Sequence, residues 1–260
     1  MQSAILITEL RSLDVPRSHP RYRSLLAREK LADAAKKGLV VPQGLIAQGR
    51  GEAFDYLLGE KTTPPAMKAE RAAAAYLVLA GHPVISVNGN VAALAARDVV
   101  KLAKSLRARI EVNLFYRTGT RAGKVAGLLS SAGAGEVLGT RPDARIPGLD
   151  SKRALCSREG IFSADVVLVP LEDGDRTEAL VKMGKIVLAI DLNPMSRTAL
   201  AANVTVVDEL TRAIAGVARF VPAMRRDRAV AERVVRSFDN RENLEEVYEC
   251  MHARLRKLRH

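Results

Sequence analysis

Tryptophan is absent from the 260 residues, and Phe and Tyr together bring the aromatic fraction to only 4%. A surface that stacks nucleic-acid bases on its own rings is therefore not expected. Cysteine is almost absent too. Cys156 and Cys250 stand alone, without metal-ligand spacing, so neither a disulfide framework nor a cysteine metal site is expected, and the chain suits a reducing cytoplasm. No apolar run approaches the roughly 20 residues of a membrane helix. The opening MQSAILITELRSLDVP lacks a basic leader and a small-residue cleavage site, so no secretory signal is expected. There is no P-loop and no full G-x-G-x-x-G. The one G-x-G, Gly49-Arg50-Gly51, does not follow a clear strand and makes no dinucleotide fingerprint. No Ser/His/Asp or Cys/His arrangement offers a covalent nucleophile.

What is present is apolar and basic. A hydrophobic fraction of 48% is ample for a core, and the length suits one large domain or two small ones. Lys and Arg number 41 against 29 Asp and Glu, a formal +12, which suggests anionic partners. The distribution tempers that inference. Segment 219–260 holds 11 basic and 7 acidic residues alternating in sign, the pattern of solvated helix faces, and no basic block forms a nucleic-acid tail.

Periodicity gives the architecture. Residues 1–16 read as an extension, and 17–260 as one domain. Within it, 17–81 is mainly helical, with helices expected over 21–37, from Pro42, and over 65–80. From 82 to 221 short β-rich runs alternate with helices: 83–87, 110–115, 136–140, 164–171, 185–192 and 204–210 as strands, and 91–108, 121–132 and 177–184 as helices. Two helices are expected from about 222. Such alternation predicts an α/β fold with a mostly parallel sheet covered by helices on both faces. Ligands then bind outside the carboxyl ends of the strands.

Those ends carry Asn88-Gly89-Asn90, Asn113 to Arg117, Glu172 to Thr177, Asp191 to Thr198, and Asp208. Amides, carboxylates and guanidiniums gathered at one rim suit a phosphorylated ligand with a metal ion. Simpler roles stand beside this. Asp191 and Asn193 before Pro194 can start a turn or cap a helix, and Asp173-Gly174-Asp175 can be a turn and N-cap. Asn88-Gly89-Asn90 can be a strand-exit turn, or it can offer backbone N–H groups to an anion. Arg28, Arg50, Arg117, Arg176, Lys182 and Arg197 lie in or beside polar, glycine-containing segments, and arginine is the preferred fork for phosphate and carboxylate.

The blocks SHPRYRSLLAREK, GLIAQGRGEAFDYLLGE, PVISVNGNVAAL, NLFYRT, RIPGL, ADVVLVPLEDGDRTEALVKMGK and DLNPMSRTA occur in one order. Together they resemble the archaeal phosphopantothenate synthetase (4-phosphopantoate–β-alanine ligase) family from about residue 17 to 212. The resemblance implies a Rossmann-like sheet and a homodimer. It also implies ATP-dependent joining of 4-phosphopantoate to β-alanine through an acyl-adenylate, giving 4-phosphopantothenate, AMP and pyrophosphate in coenzyme A biosynthesis. Mg²⁺ and fixed guanidiniums would neutralise the charge of two polyanions brought together.

By the resemblance, the nucleotide pocket would use Arg28, Arg50, Asp191, Leu192, Asn193, Arg197, Thr198, Glu209 and Leu210. Beyond what the resemblance carries over, the strand-end positions assign substrate phosphate and carboxylate to Asn88, Asn90, Asn113, Arg117 and Arg176, with Arg50, Arg176 and Lys182 as catalytic candidates and Asp173 and Asp175 as Mg²⁺ or amine contacts. Lys182 could instead pair with Glu178 one turn away. The resemblance also expects a histidine at Gln48 and an asparagine at Glu209. Gln can hydrogen bond but cannot act as an acid or base near neutral pH. The competing expectation is an α/β nucleotide- or RNA-binding protein without ligase activity.

Overall fold

The structure is a computed structural model, and it describes residues 15–257. Most of the expected extension, 1–14, lies outside the described residues. Three helices come first: α1 (Tyr22–Lys36), α2 (Pro42–Leu58) and α3 (Pro64–Leu79). The sheet region follows as β1 (Pro83–Val87), α4 (Gly89–Leu106), β2 (Arg109–Val112), α5 (Gly119–Ser131) and β3 (Val137–Leu138). It continues with β4 (Ala144–Arg145), β5 (Leu155–Cys156), β6 (Val166–Pro170), α6 (Gly174–Lys182), β7 (Ile186–Ile190), α7 (Arg197–Ala201) and β8 (Val204–Val206). Helices α8 (Leu210–Arg226), α9 (Arg228–Ser237) and α10 (Asn240–Lys257) end the described chain.

The expected α/β fold is present. Six parallel strands lie in the order β3-β2-β1-β6-β7-β8. The chain enters at β1, winds outward to β3, returns across β1 and winds outward again from β6. The crevice between the carboxyl ends of β1 and β6 is thus the topological switch point, where open α/β sheets bind ligands. Pairing there sets Ile85 beside both Ile110 and Leu168.

Strand residues alternate between two cores. Ile85, Val87, Leu168, Leu188 and Ile190 pack with α1, α3, α4, α5 and α8. Val84, Val167, Val169, Val187 and Ala189 pack on the other face with Leu180 of α6 and with Ile146, Ala154 and Ile161. Burial on both faces explains why these strands read as continuous apolar runs. Helix starts are set by side-chain caps: Thr63 before α3, Asn88 before α4, Thr118 before α5 and Ser196 before α7.

Four departures from the sequence expectation stand out. Helix α2 runs unbroken through Gly49 and Gly51 to Leu58. Gly51 faces Leu192 of the rim, where an added Cβ would lie 3.7 Å from the leucine side chain. The last strand stops at Val206, and helix begins at Leu210 rather than near 222, with Pro222 inside it. Its buried face (Ala213, Ile214, Val217, Val221) overrides the helix-breaking signals of Gly216 and Pro222. Three helices therefore follow the sheet instead of two. The antiparallel pair β4–β5 and the short helix α7 were not anticipated.

Candidate active site at the carboxyl rim

The rim is built from strand ends laced to one another. The Asn88 side chain donates to the carbonyls of Pro170 (3.3 Å) and Leu171 (2.9 Å), and its Oδ1 accepts from Val91 N. One residue thus closes the switch point between β1 and β6 and caps α4. Leu171 has φ +53, a conformation that is strained by about 1–3 kcal/mol in a bulky residue and persists where surroundings over-determine it. Asn90 donates to Gly44 O and so draws α2 onto the rim.

Beside this crevice lies a buried charge cluster centred on Arg153. Its Nη2 reaches Glu172 Oε1 at 2.8 Å, its Nε reaches Asp173 Oδ2 at 2.9 Å, and its Nη1 donates to Asn113 O at 3.0 Å. Asn113 answers by donating to the carbonyls of Arg153 and Leu155. Arg176 pairs with the second oxygen of Glu172, and its side chain is only 1% exposed. Arg117 Nη2 donates to the carbonyls of Gly139 and Thr140, and burial lowers its pKa. Three guanidinium nitrogens here, Arg117 Nη1 and Arg176 Nε and Nη2, are buried without a hydrogen-bond partner. Behind them Glu111 accepts from Ser157 N and Ile161 N, and burial raises its pKa to about 7 despite those bonds.

A hollow of about 280 Å³ opens where α1 and α2 meet the rim. Arg23, Arg28, Lys30 and Arg212 line it, and so do Glu52, Asp55, Glu60 and Glu209, with Gln48 and Leu192 between them. Cations and carboxylates are balanced. Arg212 is committed to Asp55 and Asp208 at 2.5 and 2.6 Å. Burial acts to lower its pKa, but these bonds outweigh that and raise it. Glu209 caps α8 by accepting from Thr211 N and Arg212 N. The position where the resemblance expects asparagine is thus a working helix cap, and Gln48 faces the same hollow as Arg28.

The expected nucleotide residues are divided by the structure. Arg28, Leu192 and Glu209 line the hollow. Arg50 is on the adjoining turn of α2, and its charge acts on Asp191. Burial raises the Asp191 pKa, opposed by bonds from Ser196 Oγ and Asn193 N. Asp191 and Asn193 therefore build the turn that leads to the Ser196 cap: Asn193 Oδ1 also accepts from Met195 N. Thr198 hydroxyl donates to Glu172 O, and Leu210 is buried in the core. Arg197 stands outside the hollow, exposed, tying α7 to Asp175 (2.5 Å) and Glu178 (3.0 Å) of α6.

Two expectations meet geometric obstacles. Lys182 is exposed in the last turn of α6, a helix that leads away from the rim, and Glu178 takes Arg197 as its partner. Asp173 and Asp175 are each already paired with an arginine. Among the described residues no group of three or more His, Cys, Asp or Glu gathers as a metal site. Sequence reasoning assigned nothing to Arg153, Glu52, Arg212 or Glu111. Glu172 at a strand end was the visible clue to Arg153. The Asp55–Arg212 pair spans 157 positions and left no local signal.

Comparison with known proteins fits this architecture. Residues 65–254 match the family model described as phosphopantothenate/pantothenate synthetase. The chain is 56% identical over 234 residues to a Methanosarcina mazei protein named 4-phosphopantoate–β-alanine ligase, covering 90% of this chain and 92% of that one. A Thermococcus kodakarensis protein of the same name is 50% identical over 248 residues, covering 95% of each. One from Methanospirillum hungatei is 57% identical over 213 residues, covering 82% of this chain and 87% of that one. On a match across most of its length, the chain belongs to the phosphopantothenate/pantothenate synthetase family.

Proposed function

We propose that this protein condenses 4-phosphopantoate with β-alanine to give 4-phosphopantothenate in coenzyme A biosynthesis, using ATP. The observation that carries this is identity of 50–57% over nearly the whole chain to proteins bearing that name. The rim supports it chemically. A hollow beside a parallel sheet's carboxyl edge, with arginines on its walls, suits a triphosphate. The buried guanidiniums near the switch point suit an adjoining acidic substrate.

The reaction proceeds in two displacements. The pantoate carboxylate oxygen attacks the α-phosphorus of ATP and pyrophosphate leaves. The β-alanine amine then attacks the acyl carbon of the mixed anhydride, AMP leaves, and the amine gives up a proton. Arg28 and Arg50 would hold triphosphate oxygens as charge builds on phosphorus. Leu192 would pack against the base, with Asp191 and Asn193 shaping the loop beneath it. Arg117 and Arg176 would set a positive potential behind the substrate from within the protein, and Asn88, Asn90 and Asn113 would fix the loops it touches. Mg²⁺ is expected to arrive on the phosphates. A homodimer working in the cytoplasm completes the proposal, and no helix of the described residues is long and apolar enough to cross a membrane.

The test is release of AMP and pyrophosphate from ATP by the purified chain, with each substrate omitted in turn. One AMP per 4-phosphopantothenate, and no product without β-alanine, is the expected result. Salt-sensitive RNA retention with no turnover would overturn the ligase assignment in favour of a binding protein.

A further inference from the structure

Arg28 presents its Nε/Nη2 edge to Glu52: Nε lies 3.0 Å from Oε2 and Nη2 2.9 Å from Oε1. That edge is the one a phosphate takes bidentately. An ion pair between long surface side chains usually contributes little and wanders. Here a third group pins it. Tyr56, one turn further along α2, donates its hydroxyl to Glu52 Oε1 at 2.5 Å, and Arg28 Nη2 lies 3.3 Å from the same hydroxyl. Burial works to raise the Glu52 pKa, but the Arg28 and Tyr56 bonds prevail and lower it, so the carboxylate is charged at neutral pH. Both Arg28 and Glu52 face the hollow.

We propose that Glu52 sets nucleotide affinity by occupying the phosphate-binding edge of Arg28 in the free protein, so that a triphosphate must displace it. This role rests on the assignment of the hollow to ATP. The exchange forms and breaks only hydrogen bonds and ion pairs: Arg28 leaves a carboxylate for a phosphate, and Glu52, now beside a polyanion, turns away with Tyr56. When the phosphates depart, Glu52 reclaims Arg28. A residue that merely positioned Arg28 would act in the opposite sense, because its removal would weaken binding.

Calorimetric titration with ATP in EDTA separates the two, since no metal then bridges carboxylate and phosphate. Glu52→Gln keeps an acceptor for Arg28 and Tyr56 but removes the competing charge. Its ATP Kd is expected to fall about fivefold, equivalent to roughly 1 kcal/mol. Tyr56→Phe leaves both charges but frees Glu52, and should shift Kd the same way by about half that free energy. An unchanged or weaker Kd in Glu52→Gln overturns the proposal. Arg28→Ala should weaken ATP binding at least about tenfold. If it does not, the placement of phosphates at Arg28 fails, and the role of Glu52 with it. A weakened Arg28→Ala beside an untightened Glu52→Gln overturns the role of Glu52 alone.

Discussion

Replacing Arg153 with alanine removes the guanidinium that joins three separate segments: the end of β2 at Asn113, the end of β6 at Glu172 and Asp173, and the excursion between β3 and β6. The side chains of Arg153 and Glu172 are 6% and 2% exposed, so water cannot take over. Deleting one partner of a buried ion pair costs about 3–5 kcal/mol. Glu172 retains Arg176, which brings the electrostatic loss to or below the bottom of that range, about 2–3 kcal/mol. The Asn113 carbonyl loses a donor, adding about 1 kcal/mol. Asp173 is partly exposed and adds little. The expected total is about 3–4 kcal/mol, a fall in Tm of roughly 6–16 °C for a chain of this size. Urea unfolding followed by circular dichroism measures it, with Arg153→Lys expected in between because an ammonium reaches one carboxylate but not all three partners. A loss below about 1 kcal/mol in Arg153→Ala would refute the claim that this cluster holds the rim together.

Other expectations follow from the same geometry. Glu70 and Glu111 are buried, and burial raises each pKa to about 7 from an ordinary 4.5. Glu70 faces Asp208, Arg212 and Arg219, and Glu111 faces Arg117 and Arg176. Because the folded pKa exceeds the unfolded one, their contribution is complete below pH 4.5 and disappears as pH rises through 7. Stability should therefore fall between pH 5 and 7, by up to about 1.4 kcal/mol per pH unit for each group. Glu70→Gln should flatten that slope in denaturation curves, and an unaltered slope would contradict the assignment. Gly216 on α8 lies against the Glu70 carboxylate, and an added Cβ would collide with it. Gly216→Ala should lose at least about 1–3 kcal/mol, whereas Gly127→Ala on open, helical α5 should gain about 0.5–1 kcal/mol; equal melting shifts would deny the difference. Arg50→Ala should abolish AMP formation while its far-UV spectrum and Tm hold, and an ordinary rate and ATP affinity would remove Arg50 from the site.

The sequence alone determined the sheet and its rim. Strands such as PVISV, VVLVP and IVLAI are nearly continuous apolar runs alternating with helices, as a covered parallel sheet requires, and each is followed by amide, acidic or basic residues. Helix α4 was equally legible because its core face repeats at helical spacing, although the Asn88 cap and the start at Gly89 came only from the structure. What tertiary structure decided is who partners whom. Asp191 and Asn193 looked like nucleotide contacts or turn formers, and the fold sets them to building a turn beside Leu192. Arg176 and Arg197, both arginines after strand ends, part ways: one lies buried against Glu172, the other outside between α6 and α7. Arg153 finds Glu172, and Arg212 finds Asp55, across distances in sequence that no local pattern encodes. The physical reason is range: period and capping act within a few residues, whereas desolvation and ion pairing depend on which segments close packing brings together.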